Sequence, residues 1–291
     1  MTSAAIPLLP LDRLPPLPPL RLAVVGHVEM VSFIAVEHLP EPGTITHAAG
    51  FQEEPAGGGA VAAVQLARLT GRRVPFFTAL GRDAIGERCV ERLTALGLDL
   101  QVAWREAPTR RALSFQDGTG ERTITVIGER LAPLAADGLP WSSLAGCDGV
   151  FATACDAAAL RLARCSRVLA ATPRLRLAEL QRSGVVLDAL IGSGLDPGEA
   201  VPPHALMPPP RLRLATEGAL GGLAEPGGRF AAPVLERLPV DAYGCGDSFA
   251  AGVTAGLAAG WSDAEAISLG CHGGAACATG SGPYGAQLRL A

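Results

Sequence analysis

The chain has 291 residues, 48% of them hydrophobic and 18% charged, with a formal net charge of −4. That length can bury one large α/β core or two small ones, and an acidic balance without a basic stripe argues against nucleic acid as a partner. All 24 basic residues are arginine, which excludes P-loop and protein-kinase lysines, Schiff-base and pyridoxal-phosphate chemistry, and a Ser–Lys dyad.

Residues 1–20 carry six prolines among leucines and read as an extended tail, not a secretory signal. The domain proper spans 21–291. Its first strand is the short apolar run Leu22-Ala23-Val24-Val25 ending at Gly26. Residues 29–52, broken by Pro40, Pro42 and Gly43, suit short strands outside the main sheet. Gly59 to Thr70 has apolar residues at helical spacing, Val74 to Leu80 is a strand, and Ala84 to Leu96 is an amphipathic helix stopped by Gly97. Residues 109–127 alternate around Asp117-Gly118 as a hairpin. Strand and helix then repeat: Gly149–Ala152, a helix around Ala157–Arg164, Val168–Ala171, a helix around Leu175–Ser183, Val185–Leu187, and Arg211–Ala215 after a proline break. Two helices close the chain, Asp247–Ala259 and Asp263–Ala278. Such alternation predicts an α/β fold, a doubly wound, mostly parallel sheet with helices on both faces.

Seven scattered cysteines without a C-x-x-C pair read as reduced thiols of a cytoplasmic protein. The five histidines lack zinc spacing, and no apolar run approaches a membrane span.

The most informative stretch is Val240-Asp241-Ala242-Tyr243-Gly244-Cys245-Gly246-Asp247, followed by a small-residue apolar run. A glycine-rich turn entering a helix aims unpaired N–H groups and the positive end of the helix dipole at one point, where a phosphate binds. Asp247 would share that volume with the anion, and proton abstraction from an attacking hydroxyl gives a carboxylate there a purpose. Taken alone, the stretch is equally a helix cap after a tight turn.

Other motifs stand in order with it. Ala56-Gly57-Gly58-Gly59-Ala60-Val61-Ala62 leads into Leu66-Ala67-Arg68-Leu69. Next come Gly81-Arg82-Asp83-Ala84-Ile85-Gly86, then Asp117-Gly118 with Glu121-Arg122-Thr123-Ile124. Asp196-Pro197-Gly198-Glu199 and Thr216-Glu217-Gly218-Ala219-Leu220-Gly221 complete the set. Together these resemble the motifs of the ribokinase-like (PfkB) carbohydrate and nucleoside kinases, whose signature is Asp-Thr-x-Gly-Ala-Gly-Asp. Ala242 replaces its threonine and Cys245 its alanine.

The resemblance implies a ribokinase-like kinase domain with a small β lid from about 29–52 and 109–127. It implies transfer of the ATP γ-phosphoryl group to a hydroxyl of a sugar-like or nucleoside substrate. Asp247 would be the base, and the amides of Ala242, Tyr243, Gly244, Cys245 and Gly246 the anion hole. Asp196 and Glu199 resemble the pair that organises Mg²⁺, Glu199 through water. Thr216, Gly218, Gly221 and His272 would face the nucleotide. Glu29, Gly57, Gly58, Gly59, Val61 and Arg110 would face the substrate. A monovalent cation such as K⁺ near Asp241 and the 278–285 loop is left open, and the family's lids imply a homodimer.

The substrate end departs from the family. Val31 and Val61 stand where an aspartate and an asparagine are usual, which predicts a less polar pocket that hydrogen-bonds fewer hydroxyls. Cys245 at a helix N-terminus should have a lowered thiol pKa. A binding-only sugar or nucleotide sensor is the alternative to a kinase. A dinucleotide-binding oxidoreductase fits poorly, since the Gly57–Gly59 cluster does not follow the first strand as G-x-G-x-x-G.

Overall fold

The computed structural model describes residues 5–117 and 122–290. In chain order its elements are β1 (Leu22–Val25), β2 (Glu29–Ala35), β3 (Gly50–Ala56), α1 (Gly58–Thr70), β4 (Val74–Gly81), α2 (Ala84–Ala95), β5 (Leu98–Arg105), β6 (Arg111–Gln116) and β7 (Arg122–Ile127). Then follow β8 (Gly149–Ala152), α3 (Ala157–Ala163), β9 (Val168–Ala171), α4 (Leu177–Ser183), β10 (Ala189–Ser193), β11 (Leu212–Thr216), β12 (Gly222–Glu225), β13 (Gly228–Phe230), α5 (Cys245–Ala258) and α6 (Asp263–Ala278).

A nine-stranded sheet runs β13-β12-β11-β10-β9-β8-β1-β4-β5, parallel from β11 to β5. β12 and β13 extend the β11 edge as an antiparallel hairpin. β1 is buried at every position, as a strand covered on both faces must be. Alternate side chains divide between two cores: Val24, Phe76 and Ile191 pack with α1, α5 and α6, whereas Val25, Phe77 and Leu190 pack with α3 and α4. The fold is therefore the expected doubly wound α/β sheet. The lid is a second sheet of order β3-β2-β6-β7, in which only β2 and β6 pair in parallel. Gly118 and Glu121 of the expected hairpin lie outside the described residues.

α5 and α6 approach closely because glycines face each other. A Cβ on Gly252 would lie 2.8 Å from the Gly270 Cα. Residues 5–20 run along this part of the domain: the Ile6 N–H donates to Arg229 O at 2.7 Å and the Leu9 N–H to Ser268 Oγ at 2.9 Å.

Three boundaries differ from expectation. The strand expected at Val185–Leu187 is instead β10, Ala189–Ser193. Asp188 caps the approach, accepting from the Leu169 N–H at 2.8 Å and pairing with Arg164 at 2.7 Å, so the ladder starts only after it. α4 starts at Leu177, after a 3₁₀ turn at Pro173–Leu175, not at Leu175. α5 begins at Cys245, two residues before Asp247, which puts Asp247 in the first turn rather than at the cap.

Candidate active site

Two helix N-termini meet under the lid. α1 is entered through Gly57, whose φ of +89° disfavours any other residue. A Cβ on Gly58 would lie 2.7 Å from Asp247 Oδ1, so the missing side chain makes room for that carboxylate. Asp247 belongs to the first turn of α5. Burial raises its pKa, opposed by Arg174, reinforced by Glu199, opposed by Arg122 and reinforced by Glu29.

The 241–246 turn is held from below. Asp241 is buried; its Oδ1 accepts from the Tyr243 N–H at 2.8 Å and its Oδ2 from the Gly282 N–H at 3.1 Å. Gly244 has φ of +83°, and a Cβ there would lie 2.8 Å from Val61 Cγ1. Not every amide of the turn is free. Tyr243 donates to Asp241, and Cys245 donates to Ala242 O at 3.4 Å. Among the described residues the N–H groups of Ala242, Gly244, Gly246 and Asp247 have no such partner, so the donor set shifts by one residue toward the helix.

At the lid-facing end Glu29 is buried, and its Oε2 lies 2.8 Å from Arg110 Nε. The Tyr243 hydroxyl donates to Glu29 Oε1 at 3.4 Å and accepts from the Gly57 N–H at 3.3 Å. This tyrosine's role in linking the turn, α1 and β2 was not visible in the sequence. The lid contacts the same ring: Phe33 packs edge-on at 4.9 Å between centroids, and the Arg122 guanidinium lies 5.5 Å above it. His27, buried beside Gly57, has its pKa lowered to about 3 by burial and by Arg130, Arg110 and Arg174.

Two expectations at this end are corrected. Val31 and Val61 are both fully buried. Val31 lies within the lid sheet and Val61 supports Gly244, so neither lines the cleft and neither makes it apolar. Gly59 likewise serves packing: a Cβ on it would meet His27 O at 2.8 Å.

At the other end, Glu199 is buried; its Oε2 accepts from the Ser193 N–H at 2.9 Å and its Oε1 pairs closely with Arg174 Nε. Asp196 caps the following 3₁₀ turn through Gly198 N–H at 2.8 Å and lies 3.5 Å from Arg174 Nη2. A cavity of about 340 Å³ opens beside Asp196, Glu199, Ser193 and Arg213. Both Glu199 oxygens are engaged, which suits an outer-shell carboxylate reaching Mg²⁺ through water; among the described residues no cluster of three or more His, Cys, Asp or Glu could hold a metal unaided. Thr216 ends β11, donating to Gly192 O at 3.3 Å. Gly221 is demanded by its φ of +87° and by Phe230 O, which a Cβ would meet at 2.0 Å, whereas Gly218 stands open. His272 is engaged elsewhere: its Nε2 lies 2.9 Å from Leu9 O and holds the N-terminal segment.

Sequence reasoning missed Arg174 and Arg130. Arg174 follows β9, and a basic residue just past the carboxyl end of a buried parallel strand was the available signal. The expectation for Cys245 is overturned. A hydrogen bond to Cys277, then burial, pushes its thiol pKa up, because the sulfur faces Cys277 and Asp241 O rather than open solvent.

No helix among the described residues is long and apolar enough to cross a membrane. None of the proteins of curated function matches this sequence significantly. Solved structures that it resembles include the ribokinase of Thermotoga maritima, with 21% identity, TM-score 0.72 and coverage of 90% of this chain and 94% of that one. Another is the Arabidopsis thaliana ribokinase complexed with ribose and ATP, with 17% identity, TM-score 0.71 and coverage of 90% and 94%. A third is the adenosine kinase of Sinorhizobium meliloti, with 20% identity, TM-score 0.71 and coverage of 91% and 96%. At these identities the likeness concerns the fold. The family model of the pfkB carbohydrate kinases matches residues 20–160 and 212–288, and the chain belongs to that family.

Proposed function

We propose that this protein is an ATP-dependent kinase that phosphorylates a hydroxyl of a sugar or sugar-like molecule, nucleosides included. The observation that carries the reading is Asp247 in the first turn of α5, against Gly58 and beside four N–H groups without intramolecular partners. The Arabidopsis ribokinase named above was solved with ribose and ATP, which supports the same pair of ligands.

Phosphoryl transfer asks mainly for alignment and charge stabilisation. The acceptor hydroxyl gives its proton to the Asp247 carboxylate as its oxygen bonds to the γ-phosphorus, and the bond to the β-phosphate oxygen breaks to release ADP. The N–H groups of Ala242, Gly244, Gly246 and Asp247 face the migrating group. Arg174, whose charge influences Asp247, is held by Asp196 and Glu199 and ties the base to the residues proposed for Mg²⁺. Asp196 and Glu199 would hold Mg²⁺ through water, and bound Mg²⁺ neutralises phosphate charge. Thr216, Gly218 and Gly221 form the nucleotide edge in this reading.

The lid is also the surface for a homodimer. Phe51, Ile124, Val126 and Ile127 are exposed on its outer strands, and an apolar edge of this kind favours pairing with a second copy.

The test is a thermal-shift screen of sugars and nucleosides with a non-hydrolysable ATP analogue, followed by ADP-release assays on the hits. Turnover of at least one hit is expected. Saturable binding without turnover of any hit would support a sensor instead.

A further inference from the structure

We infer that the phosphoryl acceptor is an anionic sugar, carrying a carboxylate or phosphate that is seated by Arg130 and Arg110. This rests on the kinase reading above and names the substrate class.

Three segments lie side by side at the acceptor end. β2 and β6 pair with Met30 opposite Arg111, which puts Glu29 beside Arg110. β6 and β7 pair with Arg111 opposite Ile127, and a Cβ on Gly128 would lie 3.9 Å from Arg110 Cα. Gly128 turns with φ of +88°, and two residues later Arg130 Nη1 donates to Arg174 O at 2.8 Å. Arg130 thus bridges from the lid base to the loop that carries Arg174.

The charges at this end do not balance even with Asp247 counted: Arg110, Arg130 and Arg176 stand against the carboxylates of Glu29 and Asp247. Glu29 is matched by Arg110 at 2.8 Å. His27 is neutral at ordinary pH. Arg130 is left as a half-buried cation: burial, then Arg176 and Arg110, lower its pKa to about 10, with Glu29 opposing and Arg174 adding to the effect. A half-buried guanidinium among like charges is costly without a partner anion. A planar fork of donors suits a carboxylate or phosphate. A neutral sugar or nucleoside would leave the excess charge in place. At the donor end Arg174 already has its anions in Asp196 and Glu199, whereas among the described residues Arg130 donates only to a carbonyl, Arg174 O.

The experiment is a comparison of kcat/KM, at saturating Mg-ATP, for neutral pentoses and hexoses, nucleosides, sugar acids and sugar monophosphates. One of the two anionic classes is expected to exceed every neutral acceptor by at least tenfold, and the two arms tell carboxylate from phosphate. In R130Q, KM for that acceptor should rise at least tenfold with KM for ATP within about twofold, and R130K should recover part of the loss. A neutral acceptor preferred over both anionic classes overturns the inference and leaves the kinase reading standing. So does an R130Q effect confined to KM for ATP. If nothing is turned over, the kinase reading fails, and thermal shift then decides: a saturable shift with a sugar acid or sugar phosphate that R130Q removes keeps the anion site, and its absence removes that too. The class preference is measured on the unaltered chain, so the outcome does not depend on how R130Q folds.

Discussion

A methyl group at residue 58 would touch the Asp247 carboxylate, at 2.7 Å, and Gly58 is also the first residue of α1. Gly58→Ala therefore separates chemistry from folding. Alanine is the better helix former, so Tm should hold or rise, while the displaced carboxylate should cost at least about tenfold in kcat, as small misplacements of a catalytic group do. A fall in both would mean that Gly58 serves the fold. Asp247 itself titrates high because it is buried. For the rate, kcat/KM should fall on the acid side at a pH above the ordinary aspartate value of about 3.9. For stability, a raised folded pKa means that the protonated form is favoured by folding; that contribution is complete below the unfolded value and lost as pH rises through the folded one. Asp247→Asn should thus raise Tm near neutrality, and the gain should shrink as pH approaches about 4. Thermal unfolding of the two proteins across pH checks this, and a Tm lowered by the substitution at neutral pH would show that the carboxylate is stabilised instead.

At the scale of elements, α5 must carry the 241–247 turn and also lie close against α6. Gly252→Ala would place a methyl 2.8 Å from the Gly270 backbone. Backbone cannot move aside as a flexible side chain can, so overpacking of about 1–3 kcal/mol is expected, seen as a lower midpoint in urea with an unchanged slope. Elements were legible where pattern and punctuation agreed. α6 matches its expected span, Asp263–Ala278, because Gly260 precedes it and its apolar residues recur at helical spacing. β10 starts beyond the expected Val185–Leu187 run because Asp188 is held by Leu169 and Arg164, and its Gly192 is needed where Glu199 approaches: a Cβ there would lie 2.9 Å from Glu199 Oε2. The site was legible as far as backbone chemistry writes itself into glycines, hence Gly57, Gly58, Gly244 and Asp247. It was not legible at Arg130, Arg174 and the Tyr243 hydroxyl, whose positions depend on loops from distant parts of the chain. Nor did substitution against a family pattern reveal burial: Val31 and Val61 changed the motif, yet both point into packed interior.

Across the whole molecule, the lid rests on the 241–247 turn through Phe33, Arg122 and Tyr243, so a movement of the lid would disturb that turn. Where lid and core meet, His27 is buried and neutral. A histidine with a depressed folded pKa leaves the unfolded chain binding more protons, so stability falls as pH drops below its ordinary value of about 6.5 toward the folded one. His27→Gln should flatten that acid loss, read as Tm between about pH 6.5 and 5; an unchanged slope would assign the loss to other groups. The decisive experiment is transfer of the labelled γ-phosphoryl group from ATP to an acceptor by the native chain and by Asp247→Asn. A labelled phosphoryl ester is expected from the native protein and a kcat at least about 10²-fold lower in the variant, with the acceptor still bound. Equal rates of transfer by the two proteins would contradict Asp247 as the base.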